Sequence, residues 1–457
     1  MPAHPPANLW DKYDLRVPRY TSYPTAPHFT GDVNDTVYRG WLGTLDPGQP
    51  LSLYFHIPFC DSMCWFCGCY TKIVNKYQPI RQYLDVLEKE IDLLAEALPG
   101  RFSASHLHWG GGSPTMLTGG DWLALVGKLR HRFDIAGGAE LAVELDPRDA
   151  TEDYVAALAA AGVNRASIGV QDFHPDVQAA INRVQPFEVV ERVCGWLRRH
   201  GITHINLDLM YGLPHQTTER VLDMVDKAAG LEPGRVALFG YAHVPWMKSH
   251  QKLIDEAALP GAGERWRQFE AASARLEALG YRPIGLDHFA RPDDDLAIAL
   301  DQGRLNRNFQ GYTTDAAPVL LGLGASAIGG LPHGYVQNIS PLKDYRETVA
   351  AGRLPIALGV ELSPDDTLRG EIIARLMCDL AVDLRAVARR HGAADPDFAA
   401  ELGRLEPLAA DGVVAVDGHR ITVTPSGRPL VRLVAAAFDA YLARGGEHGQ
   451  QRHSRAV

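Results

Sequence analysis

Apolar and polar positions change period repeatedly along the chain, and the changes predict strands and helices in alternation. Short apolar runs predict strands at residues 51–55, 106–109, 140–145, 166–170, 205–210 and 236–241. Segments with helical spacing follow each of them and predict helices at residues 79–98, from about 121, 152–161, 176–181 with 187–200, 218–229 and 265–279. Such alternation predicts a parallel sheet with right-handed crossovers. Because six strand–helix units cannot close an eight-stranded barrel, we expect an α/β fold that is an open three-quarter (β/α)6 barrel.

Polar, glycine-rich or cysteine-rich residues follow each predicted strand. The carboxyl ends of parallel strands meet on one face of the fold, where the active site of such folds lies. In strand order these residues are a cysteine-rich loop at 60–69, glycines 110–112, Glu144, Gln171, Asp208 and Ala242. We therefore expect them to converge on one site.

The remaining segments divide the chain into further regions. We expect an N-terminal arm or lid at residues 1–50, the barrel core at 51–280 and an extension with a substrate-site segment at 281–360. Residues 361–444 predict a small helical domain with a hairpin, similar to a winged helix, and residues 445–457 predict a disordered tail. The glycine-rich stretch 323–330 predicts a tight backbone approach rather than a regular element.

Composition and charge narrow the classes of function. The chain is 46% hydrophobic and 22% charged, as in ordinary globular proteins. Its net charge of −10, and the lack of a basic recognition helix in the winged-helix-like region, argue against nucleic acid as a partner. No apolar run approaches the roughly 20 residues of a membrane span, and the N-terminus lacks the pattern of a signal peptide. We expect a cytoplasmic protein that does not contact a membrane.

Four of the six cysteines lie within ten residues, with the spacing C-x3-C-x2-C-x-C. A set of disulfides is disfavoured in a long chain without a secretory leader. A structural zinc site normally uses two separated pairs of ligands, although zinc stays open as an alternative. Thiolates crowded into one loop favour an iron–sulfur cluster. The remaining two, Cys194 and Cys378, lie on predicted helices and are expected to be core thiols.

The triplet Cys60, Cys64 and Cys67 resembles the signature of the radical S-adenosylmethionine (SAM) superfamily. Within it, the chain resembles the oxygen-independent coproporphyrinogen III oxidases, on motifs that span residues 20 to about 338. The matching segments are YTSYPT at 20–25, HIPFC at 56–60, GGGSPT at 110–115, SIGVQDF at 167–173, LMYGLP at 209–214 and RNFQGYTT at 307–314. Cys69 and the N-terminal arm favour the oxidases over related haem chaperones, which usually lack both.

The resemblance implies a reaction and its cofactors. A [4Fe–4S] cluster would pass an electron to SAM, and the resulting 5′-deoxyadenosyl radical would take a hydrogen atom from a propionate of coproporphyrinogen III. Loss of carbon dioxide and one more electron would leave a vinyl group, on rings A and B in turn, giving protoporphyrinogen IX. It also implies two SAM molecules per site, an electron donor such as a flavodoxin or ferredoxin system, and a monomer.

The resemblance further implies roles for single residues. Cys60, Cys64 and Cys67 would hold the cluster, and Cys69, His56, Tyr54, Phe309 and Gln310 would be catalytic residues. The first SAM would contact Tyr54, Phe66, Gly111, Glu144 and Ile328. A second SAM would contact Gly112, Ser113, Gln171, Arg183, Asp208 and Ala242. Ser113 stands where the family usually has threonine and keeps the hydroxyl, whereas residues 331–333 depart from the family pattern beside Ile328.

Three alternatives remain at this point: a haem chaperone, a radical SAM enzyme that modifies haem, and a zinc-bearing winged-helix regulator. A substrate with four carboxylates also requires local cations in a net-acidic protein. We expect Arg16, Arg19, Arg304 and Arg307 to supply them, because they lie in irregular segments rich in candidate site residues.

Overall fold

The computed structural model describes residues 9–393 and 396–442, so the tail predicted at 445–457 lies outside the described residues. The α-helices are α1 (Leu9–Tyr13), α2 (Asp35–Gly43), α3 (Gln78–Ala97), α4 (Gly119–Arg132), α5 (Glu152–Ala161), α6 (Pro175–Ala180), α7 (Phe187–Arg199), α8 (Thr218–Gly230), α9 (Ala262–Ala278), α10 (Asp295–Asp301), α11 (Leu342–Ala350), α12 (Pro364–Asp379), α13 (Leu384–Arg390), α14 (Ala399–Ala410) and α15 (Val431–Ala436). The strands are β1 (Leu51–Ile57), β2 (Phe59–Cys60), β3 (Lys72–Ile73), β4 (Ser103–Gly111), β5 (Asp134–Leu145), β6 (Arg165–Gln171), β7 (His204–Tyr211), β8 (Arg235–Gly240), β9 (Arg282–Ile284), β10 (His288–Ala290), β11 (Asn306–Asn308), β12 (Gly311–Thr313), β13 (Val319–Leu323), β14 (Ile328–Leu331), β15 (Gly334–Asn338), β16 (Ile356–Glu361), β17 (Ala381–Asp383), β18 (Val414–Asp417) and β19 (Arg420–Val423).

The six predicted strand–helix units form the centre of one large sheet. Strands β1, β4, β5, β6, β7 and β8 are parallel neighbours in that order. These strands are apolar on both faces because helices pack against one face of the sheet and the barrel interior lies against the other. In β1, six of the seven residues are buried. The full order of twelve strands runs from β16 to β9 without closing, so the barrel is open. The carboxyl ends of these six parallel strands therefore lie on the same face of the fold, as the sequence predicts.

The segment after the sixth unit extends the sheet, which the sequence pattern did not predict. Strand β13 pairs in parallel with the free edge of β1, and β14, β15 and β16 follow as antiparallel neighbours. The expectation of an irregular stretch at 323–330 is wrong for residues 328–330, which belong to β14. It is right for the turn between the strands, where a Cβ on Gly324 would lie 2.4 Å from the Tyr83 hydroxyl.

The last predicted helix, at about 430–442, is shorter than its apolar pattern indicated. Helix α15 ends at Ala436, and a new turn begins at Asp439. The Asp439 carboxylate accepts hydrogen bonds from the N–H groups of Tyr441 and Leu442, both at 2.9 Å, which caps that turn. Its other oxygen accepts a bond from the Tyr20 hydroxyl at 3.0 Å, so contact with the N-terminal arm fixes the break.

The first half of the N-terminal arm packs on the C-terminal unit, whereas its second half, which contains α2, packs into the core of the barrel. Apolar residues of the arm join one buried cluster with α12, α13, α14 and α15, and the arm's contributors are Leu9, Tyr13, Val17, Tyr20 and Tyr23. Trp266 of α9 belongs to the same cluster, which ties the arm and the C-terminal unit to the barrel. In that unit the helices pack beside a small sheet in the order β17-β19-β18.

Across the described part of the chain, no helix is long and apolar enough to cross a membrane.

Candidate active site

The cysteine-rich loop, residues 60–69, leaves the carboxyl end of β1 and is fixed by its neighbours. Strand β2, at its start, pairs with β3, at its end, so that Cys60 lies opposite Ile73. The Trp65 N–H donates to the Ile181 carbonyl at 2.9 Å, and the Asn182 side chain donates to the Met63 carbonyl at 2.8 Å. The loop is therefore held at several points along its length.

The thiols of this loop have hydrogen-bond donors directed at them. Thr71 Oγ1 lies 3.2 Å from the sulfur of Cys60, and Arg183 Nη1 lies 3.4 Å from that of Cys64. The Cys69 N–H donates to the Cys67 sulfur at 3.4 Å. Donors of this kind favour negatively charged sulfur and tune iron–sulfur centres.

Within the described residues, no group of three or more His, Cys, Asp or Glu surrounds a position for a single metal ion.

Three glycines at the end of β4 lie where neighbouring atoms leave no room for a side chain. A Cβ on Gly110 would lie 2.5 Å from the Glu144 carboxylate, and one on Gly111 would lie 2.4 Å from the His56 ring. A Cβ on Gly112 would lie 2.7 Å from the Phe59 backbone. Only glycine permits this close packing of two strand ends.

Glu144 stands at the end of β5 beside these glycines. Its carboxylate accepts hydrogen bonds from the Gly111 N–H and from His108 Nε2, both at 3.1 Å. The surrounding protein opposes the charge, but these two donors outweigh that effect and hold the pKa of Glu144 below its usual value. Glu144 is therefore a charged acceptor at neutral pH.

His56 and Tyr54 lie together under the glycine run. His56 Nε2 lies 3.0 Å from the Tyr70 carbonyl, to which it donates, so Nδ1 accepts from the Tyr54 hydroxyl at 3.1 Å. Burial lowers the pKa of His56, which keeps the ring neutral. Both ring nitrogens thus have partners within the fold.

Arg183 lies in the connection between α6 and α7 rather than at a strand end, and Asp208 lies within β7. Arg183 donates to Asp146 Oδ2 at 2.9 Å and to the Gly169 carbonyl at 2.6 Å. Asp208 accepts from Ser167 at 3.0 Å, while removal from water and the nearby charge of Glu144 raise the pKa of Asp208 to about 6. Gln171, at the end of β6, adopts a positive φ of 68°.

The other predicted residues do not all reach the same space. Ser113 is buried and its hydroxyl has no partner among the described residues. Gln310 lines a cavity of about 260 Å³ together with Glu144 and Asp208. Phe309 instead packs its ring edge against Tyr335, with ring centroids 6.0 Å apart.

Three further predicted residues do not line this cavity. Phe66 packs beside a small apolar cluster at the cysteine loop. Ile328 begins β14 and pairs with Gln337. Ala242 follows β8 and lines a second, larger cavity.

The second cavity, of about 510 Å³, adjoins the first at Phe239, which lines both. Four of the residues that line it are arginines, namely Arg16, Arg19, Arg265 and Arg432. The expectation for Arg304 is wrong: its side chain is exposed and bonds Gln302 at 2.8 Å. Sequence reasoning missed Arg265 and Arg432, since each lies on a helix whose local pattern does not distinguish it from a surface arginine.

Four arginines approach one another at this place, and we call Arg19, Arg265, Arg307 and Arg432 the arginine cluster. Backbone carbonyls accept many of their hydrogen bonds, such as Pro18 from Arg432 at 3.0 Å and Gly240 from Arg19 at 3.4 Å. Burial, together with the nearby charges of Arg19 and Arg307, lowers the pKa of Arg432 to about 9.

One carboxylate, Asp287, lies among the members of the arginine cluster. It bonds His288 at 2.8 Å and lies 3.9 Å from Arg307. Burial opposes its charge, but His288 and the arginines lower the pKa of Asp287 well below its usual value. Three members of the arginine cluster, Arg19, Arg265 and Arg432, thus line the same cavity as Asp287.

The open barrel with a cysteine loop at the carboxyl end of its first strand defines a class. Residues 54–228 match the family described as the Radical SAM superfamily, and residues 362–430 match the HemN C-terminal domain. A solved structure of coproporphyrinogen III oxidase (HemN) from Escherichia coli, described as a radical SAM enzyme, superposes with a TM-score of 0.89. That match has 40% identity and covers 94% of this chain and 100% of the other. The protein is a radical SAM protein, a class that carries a [4Fe–4S] cluster and SAM.

Relatives at high identity define the family more narrowly. The chain is 50% identical over 442 residues to the oxygen-independent coproporphyrinogen III oxidase of Bradyrhizobium diazoefficiens, covering 97% of each chain. It is 46% identical over 433 residues to that of Paracoccus denitrificans, covering 94% of this chain and 95% of the relative. The chain belongs to the family of oxygen-independent coproporphyrinogen III oxidases.

Proposed function

We propose that the protein oxidatively decarboxylates two propionates of coproporphyrinogen III, on rings A and B, to vinyl groups, giving protoporphyrinogen IX for tetrapyrrole biosynthesis. Family membership supports the reaction type. The observation that carries the substrate is the arginine cluster beside the 510 Å³ cavity. A substrate with four carboxylates matches a cavity that is lined by four arginines, Arg16, Arg19, Arg265 and Arg432.

The residues present fit the cofactors of the class. Cys60, Cys64 and Cys67 would hold the cluster, because donors already approach the sulfurs of all three. When bound, the reduced cluster and SAM supply the radical that removes one hydrogen atom from the substrate.

The glycine run and its neighbours would hold SAM. Gly111, Glu144, Tyr54, Phe66 and Ile328 would bind the molecule at the cluster. The charged Glu144 is an acceptor suited to ribose hydroxyls.

A second SAM is proposed beside the first. The residues proposed to contact it are Gly112, Ser113, Gln171, Arg183, Asp208 and Ala242. The buried, unpartnered hydroxyl of Ser113 supports a polar ligand here, since such a group normally finds a partner. Arg183 already pairs with Asp146, so it would reach a SAM carboxylate only by sharing its donors.

Roles in turnover are proposed for residues outside the ligand set. Cys69 is exposed beside the cluster ligands and is proposed to act as a catalytic residue rather than a ligand. Tyr54 and His56 would position the glycine run, and Gln310 would contact the reacting part of the substrate from the smaller cavity. Phe309 is proposed to act through its contact with Tyr335.

Each decarboxylation removes one hydrogen atom, one carbon dioxide and one further electron from the substrate, so a terminal electron acceptor is required. We propose that the protein acts as a monomer, because the cysteine loop and the arginine cluster lie in one chain. The six cysteines are free thiols, which supports a reducing compartment such as the cytoplasm.

The test is anaerobic incubation of reconstituted protein with dithionite, SAM and coproporphyrinogen III, with products identified by mass spectrometry. Stepwise loss of two carboxyl groups with formation of 5′-deoxyadenosine is expected. Cleavage of SAM with the tetrapyrrole unchanged would show that the substrate is wrong. Tight haem binding without SAM cleavage would show that the protein is a chaperone.

A further inference from the structure

A buried carboxylate lines the cavity that we assign to a substrate with four carboxylates. Asp287 is 8% exposed, lies between β9 and β10 and lines the 510 Å³ cavity. A negative charge in this wall repels the carboxylates of the substrate. It therefore needs a different partner, one that is positive or donates hydrogen bonds.

Asp287 is charged at neutral pH. Burial opposes the charge, but the hydrogen bond from His288 and the nearby charges of Arg307 and Arg19 hold the pKa of Asp287 well below its usual value. An ionised carboxylate accepts hydrogen bonds and donates none. Asp287 thus presents only an acceptor to the cavity.

Contacts within the protein use one of its two oxygens. His288 Nδ1 donates to Oδ1 of Asp287 at 2.8 Å, and Arg307 Nη1 lies 3.9 Å from the same oxygen. Among the described residues, no hydrogen bond to Oδ2 of Asp287 accompanies these contacts. Oδ2 is therefore the acceptor left for a bound molecule.

The surrounding residues hold this carboxylate in place. The Leu238 N–H of β8 donates to the Asp287 carbonyl at 2.7 Å. The His288 ring lies edge to face against Phe239 and Tyr312, with ring centroids 5.7 Å and 5.3 Å apart. An acceptor whose position is fixed before binding loses little conformational entropy when a ligand arrives.

The proposed substrate has hydrogen-bond donors to match this acceptor. Coproporphyrinogen III is a ring of four pyrroles, whose N–H groups lie towards its centre and whose four propionates lie at its edge. We propose that Asp287 accepts hydrogen bonds from the pyrrole N–H groups, while the arginines of the same cavity bind the propionates. The inference rests on the proposed function, because it concerns how that substrate is recognised.

This contact selects the reduced ring over its oxidised form. In coproporphyrin III two of the four ring nitrogens carry no hydrogen, and the planar ring directs the other two N–H groups inwards. In a haem the metal replaces these hydrogens altogether. A charged acceptor that loses its donors in a closed site lowers the affinity for such a ligand. Asp287 is thus a specificity-determining residue for a porphyrinogen.

The competing explanation is that Asp287 only balances the charges of Arg19 and Arg307. The two roles predict opposite effects when the charge is removed. A neutral residue in place of a simple counter-ion leaves the cavity more positive, so every tetracarboxylate should bind more tightly. A neutral residue in place of the pyrrole acceptor weakens the binding of the porphyrinogen and not that of the porphyrin.

The test compares two ligands that carry the same four carboxylates. Cluster-loaded protein with SAM and without a reductant is titrated anaerobically with coproporphyrin III, which is followed by its fluorescence, and coproporphyrinogen III is then added as a competitor. The variants are Asp287→Asn, which keeps an acceptor oxygen for His288, and Asp287→Ser. The matched control is Glu256→Gln, which changes a carboxylate of the same cavity that is 70% exposed and bonds His243 at 3.0 Å.

Both Asp287 variants should lower the affinity for coproporphyrinogen III, relative to that for coproporphyrin III, by about tenfold or more. Glu256→Gln should leave this ratio within about twofold of the wild-type value, because an exposed carboxylate is well solvated. Retained binding of coproporphyrin III by the Asp287 variants would show that the cavity and its arginines are intact.

An unchanged ratio in the Asp287 variants, or tighter binding of both ligands, would overturn the proposal. So would an equal loss of both ligands, which would show that Asp287 only positions the arginines. A wild-type protein that binds neither ligand would refute the proposed substrate instead.

Discussion

Replacing Arg265 with methionine tests the arginine cluster most directly. Arg265 lies near the start of α9, lines the 510 Å³ cavity and holds its guanidinium 6.0 Å from the Tyr211 ring centroid. Its Nε is buried and has no hydrogen-bond partner among the described residues. The methionine side chain keeps most of the packing of the arginine stem and removes the charge.

The expected change in KM follows from the contacts that the Arg265 guanidinium makes in the free protein and in the substrate complex. In the free protein the change removes no ion pair of the described residues and relieves repulsion with Arg19, so the melting temperature should stay the same or rise slightly. In the complex it removes one charge-assisted bond to a propionate, worth about 1.5–3 kcal/mol. That free energy corresponds to a rise in KM of roughly 10- to 150-fold.

A matched control lies two residues away on the same helix. Arg267 is 65% exposed and pairs with Glu264 at 2.7 Å on the surface. Arg267→Met should cost at most about 1 kcal/mol of stability and leave KM unchanged.

The assay is the anaerobic conversion of coproporphyrinogen III, with KM and kcat measured separately beside thermal unfolding of the free protein. A contact that binds the substrate equally in the ground state and in the transition state affects KM more than kcat, so its loss should raise KM. A KM within about twofold of the wild type would refute the assignment of the arginine cluster to substrate carboxylates. An equal rise in both variants would show that the effect is not specific to the cavity.

Further predictions concern single residues of the site and its support. Cys69→Ser should keep the visible absorbance of the cluster and lose product, and loss of that absorbance would identify Cys69 as a ligand. Glu144→Gln should weaken SAM binding to the reconstituted protein by roughly 10- to 100-fold in calorimetry, because the charged acceptor becomes a neutral amide; unchanged affinity would remove Glu144 from the SAM site. Glu90 is buried, and burial raises its pKa from 4.5 to about 7 even though Tyr345, Gly324 and Asn338 donate to it. The folded state therefore binds its proton more tightly than the unfolded state, so the free energy of unfolding should fall by about 3 kcal/mol between pH 4.5 and 7. Glu90→Gln should remove that part of the slope in denaturant titrations, and an unchanged slope would contradict the reasoning.

The local pattern of apolar and polar residues was enough to predict the barrel, and the cysteine spacing was enough to predict the cluster ligands. The six strand–helix units could be predicted because period and burial are properties of neighbouring residues, and helix α5 was predicted with the bounds observed. The cysteine spacing pointed to a cluster because its ligands come from one loop. Strands β13 to β16 escaped prediction, since no helical segments alternate with them: β13 pairs with the free edge of β1, and β14, β15 and β16 are added to it in turn.

What the sequence by itself determined, then, is the (β/α)6 core and the loop that carries the thiols. The tertiary structure decided the composition of the larger cavity, where Arg265 and Arg432 replace the predicted Arg304 and Arg307 in the lining. An arginine on an amphipathic helix is ordinarily a surface charge, so no local signal marks one that faces a cavity. The arm that packs on the C-terminal unit brings Arg19 beside Arg432, and that contact depends on long-range burial of apolar side chains. Only packing between distant segments places these like charges together.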